Sequence, residues 1–141
     1  MTIHSGLLRM ETEGGGEVVD LTEGVSSVVE TAGVKMGVAT VFATGSTVAV
    51  TTMEYEPGGV RDLDALLARL VPADPENGGY AHNALNRDTN AHAHLRAALI
   101  GPSESIPIVQ GRLALGTWQQ VVLMDFDVRP RQRSVTVHVY S

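Results

Sequence analysis

Three of the five histidines lie between Tyr80 and Gln119, the part of the chain in which side chains capable of chemistry are concentrated. His92 and His94 are separated by one residue, and His82 lies on the segment before them. If that stretch is extended or enters a helix, both imidazoles of the pair turn to one face, and His82 completes a set of three. Three neutral imidazoles with one open position form a catalytic zinc site. The alternative is three histidines that lie at the surface or cap helices, whose rings would still act as general acids or bases.

Acidic side chains form a second candidate group, which consists of Glu54, Glu56, Asp62 and Asp64. Two converging carboxylates hold magnesium or accept a proton. Asp62 and Asp64 are predicted to lie in the exposed first turn of a helix, where the helix dipole favours negative charge. Glu54 ends a β-branched strand with few other charges, and the sequence leaves open whether it faces a site.

Several side chains are suited to binding an anion. Ser103 follows a Gly-Pro step and offers a hydroxyl group beside backbone amides. Arg129 and Arg131 belong to a cluster of three arginines that ends at Arg133, and guanidinium groups bind phosphate through paired hydrogen bonds. This cluster is a candidate site for a small phosphorylated molecule. The alternative is a solvated hairpin corner.

The only tryptophan, Trp118, follows Thr117 and precedes Gln119. An aromatic plate beside polar groups suits a flat heteroaromatic ligand, and a tryptophan that fills the core is the alternative. Asn90 is predicted to cap the helix that begins there. No glycine-rich phosphate fingerprint is present, so we expect no nucleotide cofactor.

The composition restricts the class of protein. The chain has 141 residues, of which 43% are hydrophobic and 18% charged, which predicts one globular domain over residues 1–141. It lacks both a signal peptide and a run of about eighteen apolar residues, so we expect a cytoplasmic protein without membrane contact. The net charge of −6 argues against nucleic-acid binding. Because there is no cysteine, any divalent metal, zinc or magnesium, must be held by imidazole and carboxylate groups.

The pattern of apolar residues predicts the elements that position these side chains. Strands are predicted at residues 3–11, 17–20, 37–44, 46–53, 105–109, 112–115, 119–126 and 134–140. Helices are predicted from Thr22, as N-cap, to Gly33, over 60–71 and from Asn90 to Gly101, with a loop over 73–89. The sum is an α+β fold, a mostly antiparallel, sandwich-like β-sheet with two or three helices.

Taken in order, these residues resemble the YjbQ family from about Leu21 to Val139. The motifs that carry the resemblance are Asn90–His94 with Leu95, Gly101-Pro102-Ser103 with Pro107, and Gly111–Gln119. The resemblance implies a small α+β sandwich-like fold, a homotrimer with sites near subunit boundaries, and a histidine-lined pocket that holds metal ions or anions. The site that it implies comprises Glu54, His82, Asn90, His94, Ser103, Thr117 and Trp118.

The chain departs from the family pattern at three places. Gly45-Ser46-Thr47 stands where many members have His-Thr-Thr, so an expected histidine is missing. His92 stands where members usually have Asp, and Met53-Glu54 replaces Asn-Glu. One hypothesis is that His92 supplies the lost ring.

Three functions are compatible with these residues. The resemblance implies a thiamine-phosphate synthase activity, in which a pyrimidine diphosphate loses pyrophosphate and a thiazole phosphate nitrogen is alkylated. The second is a metal-dependent hydrolase, in which a three-histidine zinc activates water and Glu54 accepts its proton. The third is a non-enzymatic trimeric protein that binds a metal or a small anion.

Overall fold

A computed structural model of the chain describes residues 1–75 and 79–141. The strands are β1 (Ile3–Thr12), β2 (Glu17–Asp20), β3 (Met36–Ala43), β4 (Val48–Met53), β5 (Ser103–Val109), β6 (Arg112–Leu113), β7 (Gln120–Asp125) and β8 (Arg131–Tyr140). The helices are α1 (Thr22–Ala32), α2 (Pro57–Leu70), α3 (Ala81–Asn86) and α4 (Ala91–Ile100). The predicted α+β class is confirmed, although the described residues form four helices rather than two or three. None of the helices in these ranges is long and apolar enough to cross a membrane.

The strands form two antiparallel sheets. One has five strands in the order β1-β8-β3-β5-β6, and the other has three in the order β2-β7-β4. Alternate residues of both sheets, such as Val41, Val50, Leu123 and Val137, are fully buried in one cluster between them. Helix α1 adds Val25 and Val29 to that cluster. This alternation is what a sheet with one buried face requires, since successive side chains point to opposite faces.

A second layer of apolar contacts covers the outer face of the three-stranded sheet. Val122, Met124 and Phe126 are buried there against Leu67 of α2 and Ala93 of α4. The small residues of α4 allow its backbone to approach the sheet closely. The sheet therefore fixes α4, the helix that carries two of the candidate histidines.

Helix α1 ends as predicted but begins differently. Gly33 closes it in the left-handed conformation, at φ 68°. Thr22 is the first helical residue rather than the N-cap, and its side chain makes no capping hydrogen bond. Its Oγ1 instead accepts from the backbone N–H of Val121, at 2.9 Å. The capping prediction is wrong because a bond to β7 uses that hydroxyl.

Helix α2 begins three residues before the predicted start. Glu56 is the N-cap, and its carboxylate accepts hydrogen bonds from the N–H groups of Gly59 and Gly58. These two bonds lower the pKa of Glu56. Asp62 and Asp64 are exposed but lie beyond the first turn, so their predicted interaction with the helix dipole is wrong.

The segment predicted as a loop over residues 73–89 contains α3. The loop prediction is wrong at residues 81–86, and its residues 76–78 lie outside the described part of the chain. The polar composition of α3 hid it, because its sequence has only one large apolar residue, Leu85, and that side chain is exposed.

Candidate functional site

Helices α3 and α4 meet through a pair of side chains. Nε2 of His82 lies 2.9 Å from Oδ1 of Asn90, the residue before α4. Asn90 is the N-cap residue of α4, as predicted, but its side chain makes no capping hydrogen bond. Asn83 does the capping instead, because its Oδ1 accepts from the backbone N–H of Ala91 at 3.0 Å. Asn90 is thereby available to orient an imidazole.

His82 lies against His94. The centroids of the two rings are 4.6 Å apart and the ring planes are tilted by 54°. Since an amide oxygen only accepts, the contact with Asn90 requires the tautomer of His82 that carries its proton on Nε2. The amide nitrogen of Asn86 lies 3.5 Å from Nδ1 of His82, on the side of the ring that then holds the lone pair. Both nitrogens of His82 are therefore engaged, whereas those of His94 bond to no described residue.

His92 does not join this pair. Two residues along a helix are about 200° apart around its axis, so His92 and His94 point to opposite flanks of α4. Nδ1 of His92 is buried and has no partner among the described residues. Burial lowers the pKa of His92, and the nearby charge of Arg96 lowers it further. His92 is thus suited to remaining neutral.

The geometry does not fit a three-histidine metal centre within one chain. His82, His92 and His94 do not converge, and both ring nitrogens of His82 have amide neighbours. In residues 1–75 and 79–141, no three His, Asp or Glu side chains are placed to hold a metal ion. A divalent metal therefore stays a prediction without support from the arrangement of the described residues.

The remaining predicted residues lie on separate elements. Glu54 follows β4 directly and is exposed, and Ser103 is the exposed first residue of β5. Trp118 is 72% exposed, so the alternative that it fills the core is wrong. Its turn is held by Gln119, whose side chain accepts from Gly116 and donates to β4. Trp118 is therefore presented to solvent on a fixed turn, and Thr117 beside it is also exposed.

The arginine cluster contributes to a buried charge network. Arg133 donates to both carboxylate oxygens of Asp125, at 2.6 and 2.9 Å, and Arg131 donates to Asp127 at 2.9 Å. Thr47 donates to Asp127 and accepts from Arg133. Only Arg129 of the three arginines lacks an acidic partner in the described residues, and it is exposed. Arg131 is thus held for structure, which weakens its predicted role as a phosphate ligand.

Both acids of the network are ionised. Burial by itself would raise the pKa of Asp125, but hydrogen bonds from Arg133 and Thr12 outweigh it and lower the pKa. The same balance lowers the pKa of Asp127, through Thr47 and Arg131. Neither acid was among the predicted site residues, because both lie at the end of an apolar strand. One residue separates the two acids, and one residue separates Arg131 from Arg133. This matching spacing was the only sign in the sequence that the two pairs face each other.

The network also explains the glycine at position 45. Gly45 has φ 144°, a conformation that side chains rarely adopt, and a Cβ atom there would lie 2.7 Å from Nη1 of Arg133. The guanidinium group thus occupies the space that any side chain at this position needs. The histidine that the family pattern leads one to expect cannot fit without displacing Arg133.

The comparisons with known proteins agree with this fold. The model of the family described as UPF0047 protein YjbQ-like matches residues 7–141. A UPF0047 protein of Methanothermobacter thermautotrophicus is 37% identical over 139 residues, which cover 99% of this chain and 93% of that protein.

Solved structures extend the agreement to three dimensions. A hypothetical protein from Aeropyrum pernix K1 has a TM-score of 0.87 and 34% identity, over 97% of this chain and 98% of that one. A YjbQ/UPF0047 family protein from Clostridium acetobutylicum has a TM-score of 0.84 and 33% identity, over 95% and 98%. The resemblance stated from the sequence is confirmed: this chain belongs to the UPF0047 protein YjbQ-like family.

Proposed function

We propose that this protein is a transferase that joins a pyrimidine diphosphate to a thiazole phosphate with release of pyrophosphate. The observation that carries the proposal is the His82–His94 pair. Asn90 orients the ring of His82, and the ring nitrogens of His94 bond to no described residue. The family resemblance supplies the substrate class. The geometry supports the role of the imidazoles.

The reaction makes modest chemical demands. The bond between the pyrimidine methylene carbon and the diphosphate oxygen breaks, and pyrophosphate leaves with the electron pair. The thiazole nitrogen then donates its lone pair to that carbon. Such a reaction needs hydrogen-bond donors at the leaving oxygens and two substrates held in line, with little proton transfer.

The contacts divide these tasks between the two histidines. His94 is half-buried and its ring nitrogens bond to no described residue, so it is the ring that donates to a departing diphosphate. His82 packs against it and is itself fixed by Asn90. We therefore assign His94 as the catalytic residue and assign His82 and Asn90 as positioning residues.

Trp118 and Thr117 fit the substrate-binding role in this proposal. An exposed indole on a fixed turn is suited to stacking on a flat heteroaromatic ring. Ser103, Glu54 and Arg129 are exposed and remain candidates for polar contacts with the second substrate. A homotrimer, with sites completed near subunit boundaries, is part of the same proposal and predicts three times the 15.0 kDa chain mass in solution.

The test is to incubate the purified protein with both substrates and to measure pyrophosphate, orthophosphate and the joined product. We expect His94→Ala to slow product formation by about a hundredfold or more, as loss of a transition-state donor does. Asn90→Ala should cause a smaller loss. His138→Ala is the matched control, because that histidine is exposed on β8 of the five-stranded sheet, whereas α4 packs against the three-stranded sheet.

The other outcomes identify the alternatives. Orthophosphate without joined product would contradict the proposal in favour of a hydrolase. Binding of substrates without any turnover would favour the non-enzymatic binding protein. A His94→Ala variant as fast as the unmodified protein would remove the histidine pair from the mechanism.

A further inference from the structure

The contact between His82 and Asn90 does not by itself fix which way the amide of Asn90 faces. An asparagine amide has an acceptor oxygen and a nitrogen with two N–H donors, and rotation by 180° exchanges them. With Oδ1 toward Nε2 of His82 the ring donates, whereas with Nδ2 in that place the ring would accept. The direction of this hydrogen bond therefore depends on what holds the other nitrogen of the ring.

Asn86 lies beside that other nitrogen, and the backbone fixes its orientation. Nδ2 of Asn86 donates to the backbone carbonyl oxygen of His82 at 2.9 Å, one turn earlier in α3. Because a carbonyl oxygen only accepts, the amide atom beside it has to be the nitrogen. The second N–H of the same nitrogen is left for Nδ1 of His82, which is 3.5 Å away.

The contacts of Asn86, His82 and Asn90 form a chain of hydrogen bonds with one direction. Because Asn86 offers a donor, Nδ1 of a neutral His82 ring is the acceptor and Nε2 carries the proton. That proton in turn requires the oxygen of Asn90. The amide nitrogen of Asn90 is therefore turned away from the ring.

This amide nitrogen is available to a ligand. In the described part of the chain, Nδ2 of Asn90 forms no hydrogen bond, and Nδ1 of His92 is the only buried side-chain nitrogen or oxygen without a partner. Nδ2 of Asn90 therefore reaches solvent. Asn90 also lies one helical turn before His94, whose backbone N–H donates to the carbonyl oxygen of Asn90 at 3.3 Å. Both side chains contact the ring of His82.

We propose that Asn86 is a positioning residue that sets the direction of this chain, so that Asn90 offers N–H donors to a molecule bound beside His94. The inference rests on the proposed function for the location of the site. It adds a selectivity, since the group of the ligand that contacts Asn90 has to be a hydrogen-bond acceptor.

Asn86→Asp is the variant that reverses the chain. An aspartate carboxylate is close in shape to the amide but only accepts, so the ring proton of His82 should move to Nδ1. Nε2 then has the lone pair, and the amide nitrogen of Asn90 should turn toward it. Ala84→Asp is the matched control, because it places the same charge at an exposed position of α3 on the opposite flank from His82.

The position of the ring proton is measured by ¹⁵N NMR at about pH 9, well above the range in which imidazole ordinarily titrates. The signals of His82 are those that disappear in His82→Gln. We expect Nε2 to be protonated in the unmodified protein and in Ala84→Asp, and Nδ1 to be protonated in Asn86→Asp. Circular dichroism confirms that each variant is folded, and Asn86 is itself exposed.

Product formation tests the consequence at Asn90. Asn86→Asp should slow the reaction by about tenfold, the effect of losing one hydrogen bond to a charged group. Combined with Asn90→Ala, it should cause no further loss, because the amide that it turns is already absent. Losses that multiply in the double variant would overturn the assignment of Asn90 as a donor to the ligand.

The result that overturns the role of Asn86 is a ring proton that stays on Nε2 in Asn86→Asp as it does in Ala84→Asp. The spectra need no substrate, so this failure is distinct from failure of the proposed function. If the proton stays on Nε2 and turnover still depends on His94, the function stands and the role of Asn86 does not. If the proton moves and no variant forms product, Asn86 sets the direction of the chain and the transferase is refuted.

Discussion

Replacement of Arg133 by methionine is the most direct test of the charge network between the two sheets. The side chain of Arg133 is 8% exposed and that of Asp125 is fully buried, and two hydrogen bonds join them. Methionine keeps most of the apolar stem of arginine and removes its charge. The variant therefore leaves a buried carboxylate whose remaining partners are the Thr12 hydroxyl and the N–H of Asp127.

The expected cost follows from that arrangement. Removal of one partner of a buried ion pair costs about 3–5 kcal/mol, and the two neutral hydrogen bonds that remain at Asp125 favour the lower end. We expect the free energy of unfolding to fall by about 3 kcal/mol at pH 7. For a chain of this size, that corresponds to a decrease in Tm of about 10 °C.

The pH dependence of stability is the sharper observable. In the unmodified protein the pKa of Asp125 is below its ordinary value of 3.8, so its stabilisation is present above that pH and is lost as the pH falls further. Without Arg133, the hydrogen bonds from Thr12 and Asp127 are left to oppose burial, and we expect burial to outweigh them and to raise the pKa of the same carboxyl. The folded variant then binds a proton more readily than the unfolded chain, so its stability increases as the pH falls from 7 toward 4.

Urea denaturation at a series of pH values measures both effects. Arg129→Met is the matched control, since Arg129 is exposed and has no acidic partner among the described residues, and its effect should stay within about 0.5 kcal/mol. Combining Arg133→Met with Asp125→Asn should recover part of the loss by removing the buried charge. An Arg133→Met variant with the stability and pH slope of the unmodified protein would refute the reasoning.

Three further predictions concern single positions. Gly45→Ala should lower the free energy of unfolding by about 2–4 kcal/mol, because the backbone is strained for alanine and the new Cβ meets Arg133; equal Tm values would contradict this. Because the pKa of His92 is below its ordinary value of 6.5, stability should fall as the pH drops below 6.5, and His92→Asn should remove that part of the decrease in a thermal scan. Glu56→Ala should lower the free energy of unfolding through loss of the cap of α2, whereas Glu56→Asp should retain most of the stabilisation; urea titration distinguishes them.

The periodic parts of the fold were predictable from the sequence. The alternation of Val135, Val137 and Val139 specified a half-buried strand, and all three side chains are fully buried. The pairing order of the strands was not predictable, because it depends on contacts between residues more than a hundred positions apart. Helix α3 escaped prediction because it is held by polar bonds to α4 rather than by an apolar stripe.

The candidate site was predicted in part. The sequence indicated His82, Asn90 and His94, and the structure brings these three together. Asn90 and Thr22 were predicted to cap helices, because both residue types are common at the N-cap position and the sequence offers no other information at a helix start. In both cases a partner distant in the chain or on another helix uses the side chain instead, which only the tertiary structure reveals.

The sequence also could not show how His92 and His94, which are separated by one residue, are oriented. Whether His92 and His94 share a face depends on the backbone, and the helix sends them to opposite flanks. The acids Asp125 and Asp127 were missed for a related reason, because their charges balance arginines on the next strand and leave no local excess.

The pairing of β1 with β8 has a consequence for synthesis of the protein in the cell. Strand β1 bonds to no other strand in the described structure, and its partner is formed by residues 131–140. At about 5–20 residues per second, a ribosome needs on the order of 10 s to make the intervening chain. During that time residues 3–12 have left the ribosome with both strand edges unpaired, so the nascent chain is most open to aggregation before its last strand emerges.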